Sequence, residues 1–159
     1  MVTVLFVCLG NICRSPLAEG VFKSAVKSRG LSDKIQCDSA GTSSWHIGEM
    51  PDPRSIEIAK DNGIVLDHFG AQVDGDDFSK FDYIIAMDEN NRQDLELIQK
   101  RHGGKAVIVK MMDFDNSRSG SNVPDPYYGG HDGFERVFIM LKESCNNFID
   151  YLVEKHQLI

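Results

Sequence analysis

Val2-Thr3-Val4-Leu5-Phe6-Val7-Cys8-Leu9-Gly10-Asn11-Ile12-Cys13-Arg14-Ser15-Pro16 decides how the rest of the chain is read. Its first six residues are β-rich and almost wholly apolar, the pattern of a strand covered on both faces. Ser15-Pro16 then reads as a helix start, with serine at the cap and proline tolerated in the first turn. Leu17, Ala18, Val21, Phe22, Ala25 and Val26 recur every three or four residues, and Lys27, Arg29 and Gly30 mark the helix end. Strand and helix are joined by a short loop from Cys8 to Arg14.

Working outward, the same alternation repeats. A second apolar segment near Ile35 ends in Asp38-Ser39-Ala40-Gly41, a strand running into a loop. Asp52-Pro53 opens a helix that Asn62-Gly63 closes. Tyr83-Ile84-Ile85-Ala86-Met87 is a buried strand, followed by a polar helix from Asp88 to Lys100, and Ala106-Val107-Ile108-Val109 is a fourth strand. Residues 113–131 hold no clear element, and a loop that long in a compact domain is functional or mobile. Phe134, Val137, Phe138, Leu141, Cys145, Phe148, Ile149 and Leu152 form one helical stripe at the end. The expected class is α/β: residues 1–159 as a single three-layer domain, a central four-stranded parallel sheet with helices on both faces. Ligands bind such sheets beyond the carboxyl ends of the strands, where the Cys8–Arg14 loop falls.

The chain has 159 residues, with 17 Lys and Arg against 24 Asp and Glu, a formal charge of −7. That balance argues against a surface built for nucleic acid or anionic lipid. Four cysteines are too few for a disulfide scaffold and fit a reducing compartment. The run from Val2 to Val7 is too short for a signal peptide or a membrane span, and the expected location is cytoplasmic. An acidic protein of this kind must attract any anionic ligand locally.

The loop has the means to do so. In Cys8-Leu9-Gly10-Asn11-Ile12-Cys13-Arg14-Ser15, successive backbone amides can converge as an anion nest, reinforced by the helix dipole. Arg14 can add two parallel hydrogen bonds to phosphate oxygens. Gly10 is expected to take a backbone angle that a side chain would resist. The Cys8 sulfur then lies among donors that favour a thiolate, and the Ser15 hydroxyl can bond that sulfur. The pattern is a nucleophile aimed at phosphorus with donors for the equatorial oxygens. Taken as a bare Cys-x5-Arg match, Cys8 is equally a small residue ending a strand and Arg14 a surface charge. An acid for the leaving oxygen is also needed, and Asp125 in Pro124-Asp125-Pro126-Tyr127-Tyr128 is the candidate, although the same segment alone reads as an exposed turn.

Val7-Cys8-Leu9-Gly10-Asn11-Ile12-Cys13-Arg14-Ser15-Pro16 together with Asp125-Pro126-Tyr127-Tyr128 resembles the low-molecular-weight protein tyrosine phosphatases. The likeness runs along essentially the whole chain, through Asp38-Ser39-Ala40-Gly41, Pro51-Asp52-Pro53-Arg54, Phe81-Asp82-Tyr83 and Met87-Asp88. It implies a phosphate-binding loop after the first strand, hydrolysis of phosphotyrosine and small aryl phosphates through a cysteinyl-phosphate, and neither metal nor other cofactor. It implies Cys8 as nucleophile, Arg14 as phosphate clamp, Asp125 as general acid and Ser15 as thiolate partner. Asn11, Ser39 and His68 match a polar network that holds the loop in a strained shape, although His68 alone reads as a plain loop histidine. Leu9, Trp45, Tyr127 and Tyr128 match the walls of a pocket for an aromatic ring, with Gly10 and Ile12 also on the substrate side; partial core burial is the other reading of Trp45. Relatives acting on phosphoarginine carry threonine in place of Ile12, so phosphotyrosine is expected. The resemblance also implies that Cys13 can trap oxidised Cys8 as a reversible disulfide. Cys37 and Cys145 fit core positions. Ala71 stands where many members have arginine.

The partners expected are phosphotyrosine proteins or peptides, with phosphate as product, and no nucleic acid or membrane. A monomer is expected, with weak self-association left open. An arsenate reductase or a phosphoarginine phosphatase on the same fold are the rival enzymes. The segment 82–104 lacks the cysteine pair of thioredoxin-coupled reductases, whereas versions using small thiols stay open. A non-catalytic phosphoprotein-binding module would need neither thiol nor acid. No Gly-Lys-Ser/Thr triplet supports a nucleotide-binding loop.

Overall fold

The computed structural model describes residues 1–127 and 129–159, with only the backbone described for His131. Four parallel strands, β1 (Val2–Cys8), β2 (Ile35–Gly41), β3 (Tyr83–Ala86) and β4 (Val107–Lys110), lie in the order β2-β1-β3-β4. The chain leaves β1 toward one edge to make β2 and then crosses to the other side for β3. The topological switch point therefore falls at the carboxyl end of β1.

Because strand side chains alternate, β1 feeds two cores. Val4, Phe6 and Cys8 point to one face and Leu5 and Val7 to the other, all buried. The first face is covered by α1 (Arg14–Ser28), α2 (Pro53–Asp61) and α5 (Gly130–His156), where Phe6 meets Phe22 edge-on at 5.2 Å and Phe22 packs on Phe148 at 5.6 Å. The second face is covered by α3 (Asp77–Lys80) and α4 (Glu89–His102) through Phe78 and Leu95. These are the three layers expected.

Local differences from expectation have physical causes. Helix α1 begins at Arg14, with Cys13 in the cap position and making no side-chain cap bond. Ser15 is thus inside the helix, and its hydroxyl turns into the loop instead of capping. The left-handed residue of the loop is Asn11, at φ 56°, and not Gly10. What constrains Gly10 is proximity, since a Cβ there would stand 3.2 Å from His46 Cδ2. The chain also forms α3 and a 3-10 turn at Met111–Phe114, both too short to show a period.

Candidate active site

Cys8 ends β1 with its side chain buried, and the loop folds back over it. The Asn11 amide donates to Cys8 Sγ at 3.3 Å, and the Ser15 hydroxyl lies 3.0 Å from the same sulfur. The strained Asn11 backbone is over-determined by its own side chain. Its Nδ2 donates to Ser15 Oγ at 2.8 Å and to Ser39 Oγ at 3.1 Å. Its Oδ1 accepts from the Ala71 amide at 2.9 Å and faces His68 Nε2 at 2.7 Å. At Ala71 the main chain makes this contact, so the missing arginine leaves the loop anchor intact. The rim is pinned by the residues that follow β2, since Thr42 and Ser43 amides donate to the carbonyls of Cys8 and Leu9 at 2.9 and 3.0 Å.

Arg14 is 4% exposed, so the surface-charge reading does not apply. Its Nη1 donates to Asp88 Oδ2 at 2.6 Å and to the Val123 carbonyl at 3.1 Å, and Nη2 lies 3.9 Å from Asp125 Oδ2. Burial works against the guanidinium charge, yet neighbouring Cys8, Asp88 and Asp125 outweigh it and raise its pKa. Arg14 thus stays cationic where the α1 amide dipoles also converge, which answers how an acidic chain holds an anion.

Behind Asn11 lies a buried titratable pair. Ser39 Oγ donates to Glu19 Oε1 at 2.6 Å, and His68 Nδ1 stands 3.2 Å from that oxygen and 3.6 Å from Asp38 Oδ1. Burial pushes Glu19 up to about 7 and pushes His68 down, so both shifts favour the uncharged pair. Because Asn11 Oδ1 only accepts, His68 must carry a proton on Nε2, which leaves Nδ1 facing Glu19 across one shared proton. Glu19, Asp38 and His68 offer ligand atoms within 4.8 Å of one another, and hydrogen bonds already engage Glu19 and His68.

On the other side of the loop, Cys13 is buried and its thiol is pushed up to about 12, first by burial and then by the Asp52 charge. Asp52 donates its amide to the Ile12 carbonyl at 2.8 Å and accepts from Arg54 at Nε and Nη2. All four cysteines are free thiols; Cys145 is buried and Cys37 partly so.

A cavity of about 270 Å³ opens above Cys8, lined by Leu9, Gly10, Ile12, Cys13, Arg14, Trp45, His46, Asp125 and Tyr127. Trp45 is 69% exposed, which removes the core reading and leaves its ring at the rim. The expected Tyr128 wall falls outside the described residues. Thus Cys8, Arg14 and Asp125 meet at the cavity, while Asn11, Ser15, Ser39 and His68 form the support beneath. Asp88, Glu19, Asp52 and Arg54 were given no role by sequence. Asp88, Asp52 and Arg54 stand inside segments that carry the resemblance, which is the signal that could have found them; Glu19 reads only as a helix surface residue.

Donors converging on one buried sulfur, beside an arginine and a carboxyl, suit a tetrahedral oxyanion under nucleophilic attack. On the switch point of a parallel sheet they define a cysteine-dependent phosphoric monoester hydrolase. The family model described as low molecular weight phosphotyrosine protein phosphatase matches residues 3–158, and the chain belongs to that family. The low molecular weight phosphotyrosine protein phosphatase of Schizosaccharomyces pombe is 43% identical over 149 residues, spanning 93% of this chain and 95% of that protein. A crystal structure of a protein tyrosine phosphatase from Entamoeba histolytica matches with a TM-score of 0.90 and 43% identity, covering 98% of this chain and 99% of that one. The structure of a drosophila arginine phosphatase matches with a TM-score of 0.89 and 34% identity, covering 93% of this chain and 96% of that one.

Proposed function

We propose that residues 1–159 work as one domain that removes phosphate from tyrosine in proteins, with Cys8, Arg14 and Asp125 carrying the reaction. The observation that supports this most directly is the Cys8 sulfur, met by the Asn11 amide at 3.3 Å and the Ser15 hydroxyl at 3.0 Å on the floor of the cavity. Arg14 and the loop amides hold the three equatorial oxygens of the phosphoryl group. The Cys8 thiolate attacks phosphorus in line, the bond from phosphorus to the phenolic oxygen breaks, and protonated Asp125 gives its proton to that oxygen. Water then attacks the cysteinyl-phosphate, Asp125 takes its proton, and the sulfur departs as a thiolate held by Ser15. Leu9, Trp45 and Tyr127 supply apolar walls for the phenyl ring.

The drosophila relative raises phosphoarginine as a second substrate. Ile12 lines this cavity with a branched alkyl group and no hydroxyl, which favours an aromatic ester over a guanidino group. The reaction belongs in the cytoplasm, on phosphotyrosine proteins met by a monomer. Rates on phosphotyrosine, phosphoserine and phosphoarginine peptides, and on arsenate with thiols, test the reading. Phosphotyrosine turnover should dominate, and faster phosphoarginine turnover or arsenate reduction would replace it.

A further inference from the structure

Asp125 sits on a long loop with its carboxyl 47% exposed, and Arg14 is 3.9 Å away, beyond hydrogen-bond reach. An acid so weakly held by its own site needs another anchor, because proton transfer demands placement within a few tenths of an ångström. The anchor is a chain of contacts running out of the phosphate loop and back. The Ile12 carbonyl accepts from the Asp52 amide at 2.8 Å. Both Asp52 oxygens accept from one guanidinium, Oδ1 from Arg54 Nε at 3.0 Å and Oδ2 from Nη2 at 2.9 Å. The remaining Nη1 of Arg54 donates to the Tyr127 carbonyl at 2.9 Å. The Tyr127 amide in turn donates to Asp125 Oδ1 at 3.0 Å. Arg54 also stacks between loop and helix, 5.2 Å from the Tyr127 ring centroid and 4.6 Å from that of Phe134 in the first turns of α5.

We propose that Arg54 is a positioning residue that latches the acid-bearing loop to the phosphate-binding loop and so sets the reach of the Asp125 carboxyl. The guanidinium is suited to this because its planar fork grips both Asp52 oxygens and still has a donor left for a carbonyl, which an ammonium does not reproduce with fixed angles. The inference rests on Asp125 being the general acid, and its test separates the two readings.

The experiment compares kcat/KM, which reports the half-reaction in which the leaving group departs, on aryl phosphates whose leaving groups differ in basicity, from a nitrophenyl phosphate, whose phenolate leaves without a proton, to phenyl phosphate, whose phenolate needs one. Asp125→Asn should slow phenyl phosphate far more than nitrophenyl phosphate. Arg54→Met should steepen the same dependence, losing about tenfold or more on phenyl phosphate with only a small change on nitrophenyl phosphate. Arg54→Lys should fall between wild type and Arg54→Met. The double variant should be no slower than Asp125→Asn alone, since a lost acid no longer needs placing. Inhibition by inorganic phosphate and the thermal midpoint report that the loop and fold persist in each variant. A uniform loss of kcat/KM on all substrates, with no change in its dependence on the leaving group, would reduce Arg54 to packing or substrate binding and overturn the latch. A flat dependence in Asp125→Asn would overturn the acid reading itself and the latch with it.

Discussion

Asp88 divides its two carboxylate oxygens between a helix and the site: Oδ1 accepts from the Asn91 amide at 2.8 Å and caps α4, while Oδ2 accepts from Arg14 Nη1 at 2.6 Å. The guanidinium proposed to clamp phosphate is thus held by a residue at the N-terminus of the helix that follows β3. Asp88→Asn keeps a competent cap but exchanges a charged partner for a neutral one. It should lower kcat/KM by about 10–100-fold while the thermal midpoint changes little. Asp88→Ala should add about 1 kcal/mol of lost stability from the cap, read by urea denaturation.

Cys8→Ser should lower turnover by about 10⁴-fold or more, because the replacement oxygen stays protonated in a site built for a thiolate. The donors remain, so inorganic phosphate should still bind in calorimetry. Phosphate linked to Cys8, trapped from the wild-type enzyme by acid quench and read by mass spectrometry, checks the intermediate. Near-normal activity in Cys8→Ser would assign the nucleophile elsewhere.

Gly41 ends β2 where the phosphate loop passes. A Cβ there would stand 2.8 Å from the Leu9 carbonyl oxygen and 3.1 Å from the Asn11 amide nitrogen. Both are backbone atoms that cannot rotate away. Gly41→Ala should therefore cost about 1–3 kcal/mol and impair oxyanion binding together with turnover, since the displaced atoms belong to the cradle. Gly30→Ala is the contrast: its Cβ meets nothing within 4 Å, and only its φ of +69° resists. It should lose stability and keep its kcat.

Glu19 is raised by burial from 4.5 to about 7. Between those values the native state binds more protons than the unfolded chain, so this group's contribution to stability falls as pH rises from about 5 to above 7. His68 is lowered by burial, and its contribution runs the other way, present above its unfolded value of 6.5 and lost toward acid. Glu19→Gln removes the titrating carboxyl and keeps an acceptor for Ser39. Relative to wild type, the variant should gain on the order of 2–3 kcal/mol between pH 5 and pH 8. Urea denaturation at the two pH values reads this, and a constant difference would mean that Glu19 is already ionised throughout.

The strand–loop–helix unit from Val2 to Ser28, the order of the four strands in the chain and the cysteine–arginine pair were all legible from local pattern. Each rests on patterns within a short stretch of chain: a nearly unbroken apolar run, a helical stripe, a fixed spacing. The misreadings share the opposite property. Ser15 looks like a cap because caps are local, yet its hydroxyl is engaged by Cys8, seven residues back. Gly10 looks like the left-handed position because glycine has no Cβ to clash. Asn11 holds that conformation through Ser39, His68 and Ala71, residues 28, 57 and 60 positions away.

By itself, then, the sequence determined which groups could do chemistry, a thiol, an arginine and a carboxyl, and the alternating elements that would carry them. Only the tertiary structure decided how those groups are held. It buried Arg14 against Asp88, set the Glu19–His68 proton behind Asn11, and tied the Asp125 loop to the phosphate loop through Arg54, 73 residues from the carbonyl it grips. The physical reason is that hydrogen bonds to a strained loop and charges removed from water are energies of the folded neighbourhood. They do not exist for any segment until parallel pairing and packing bring distant segments together.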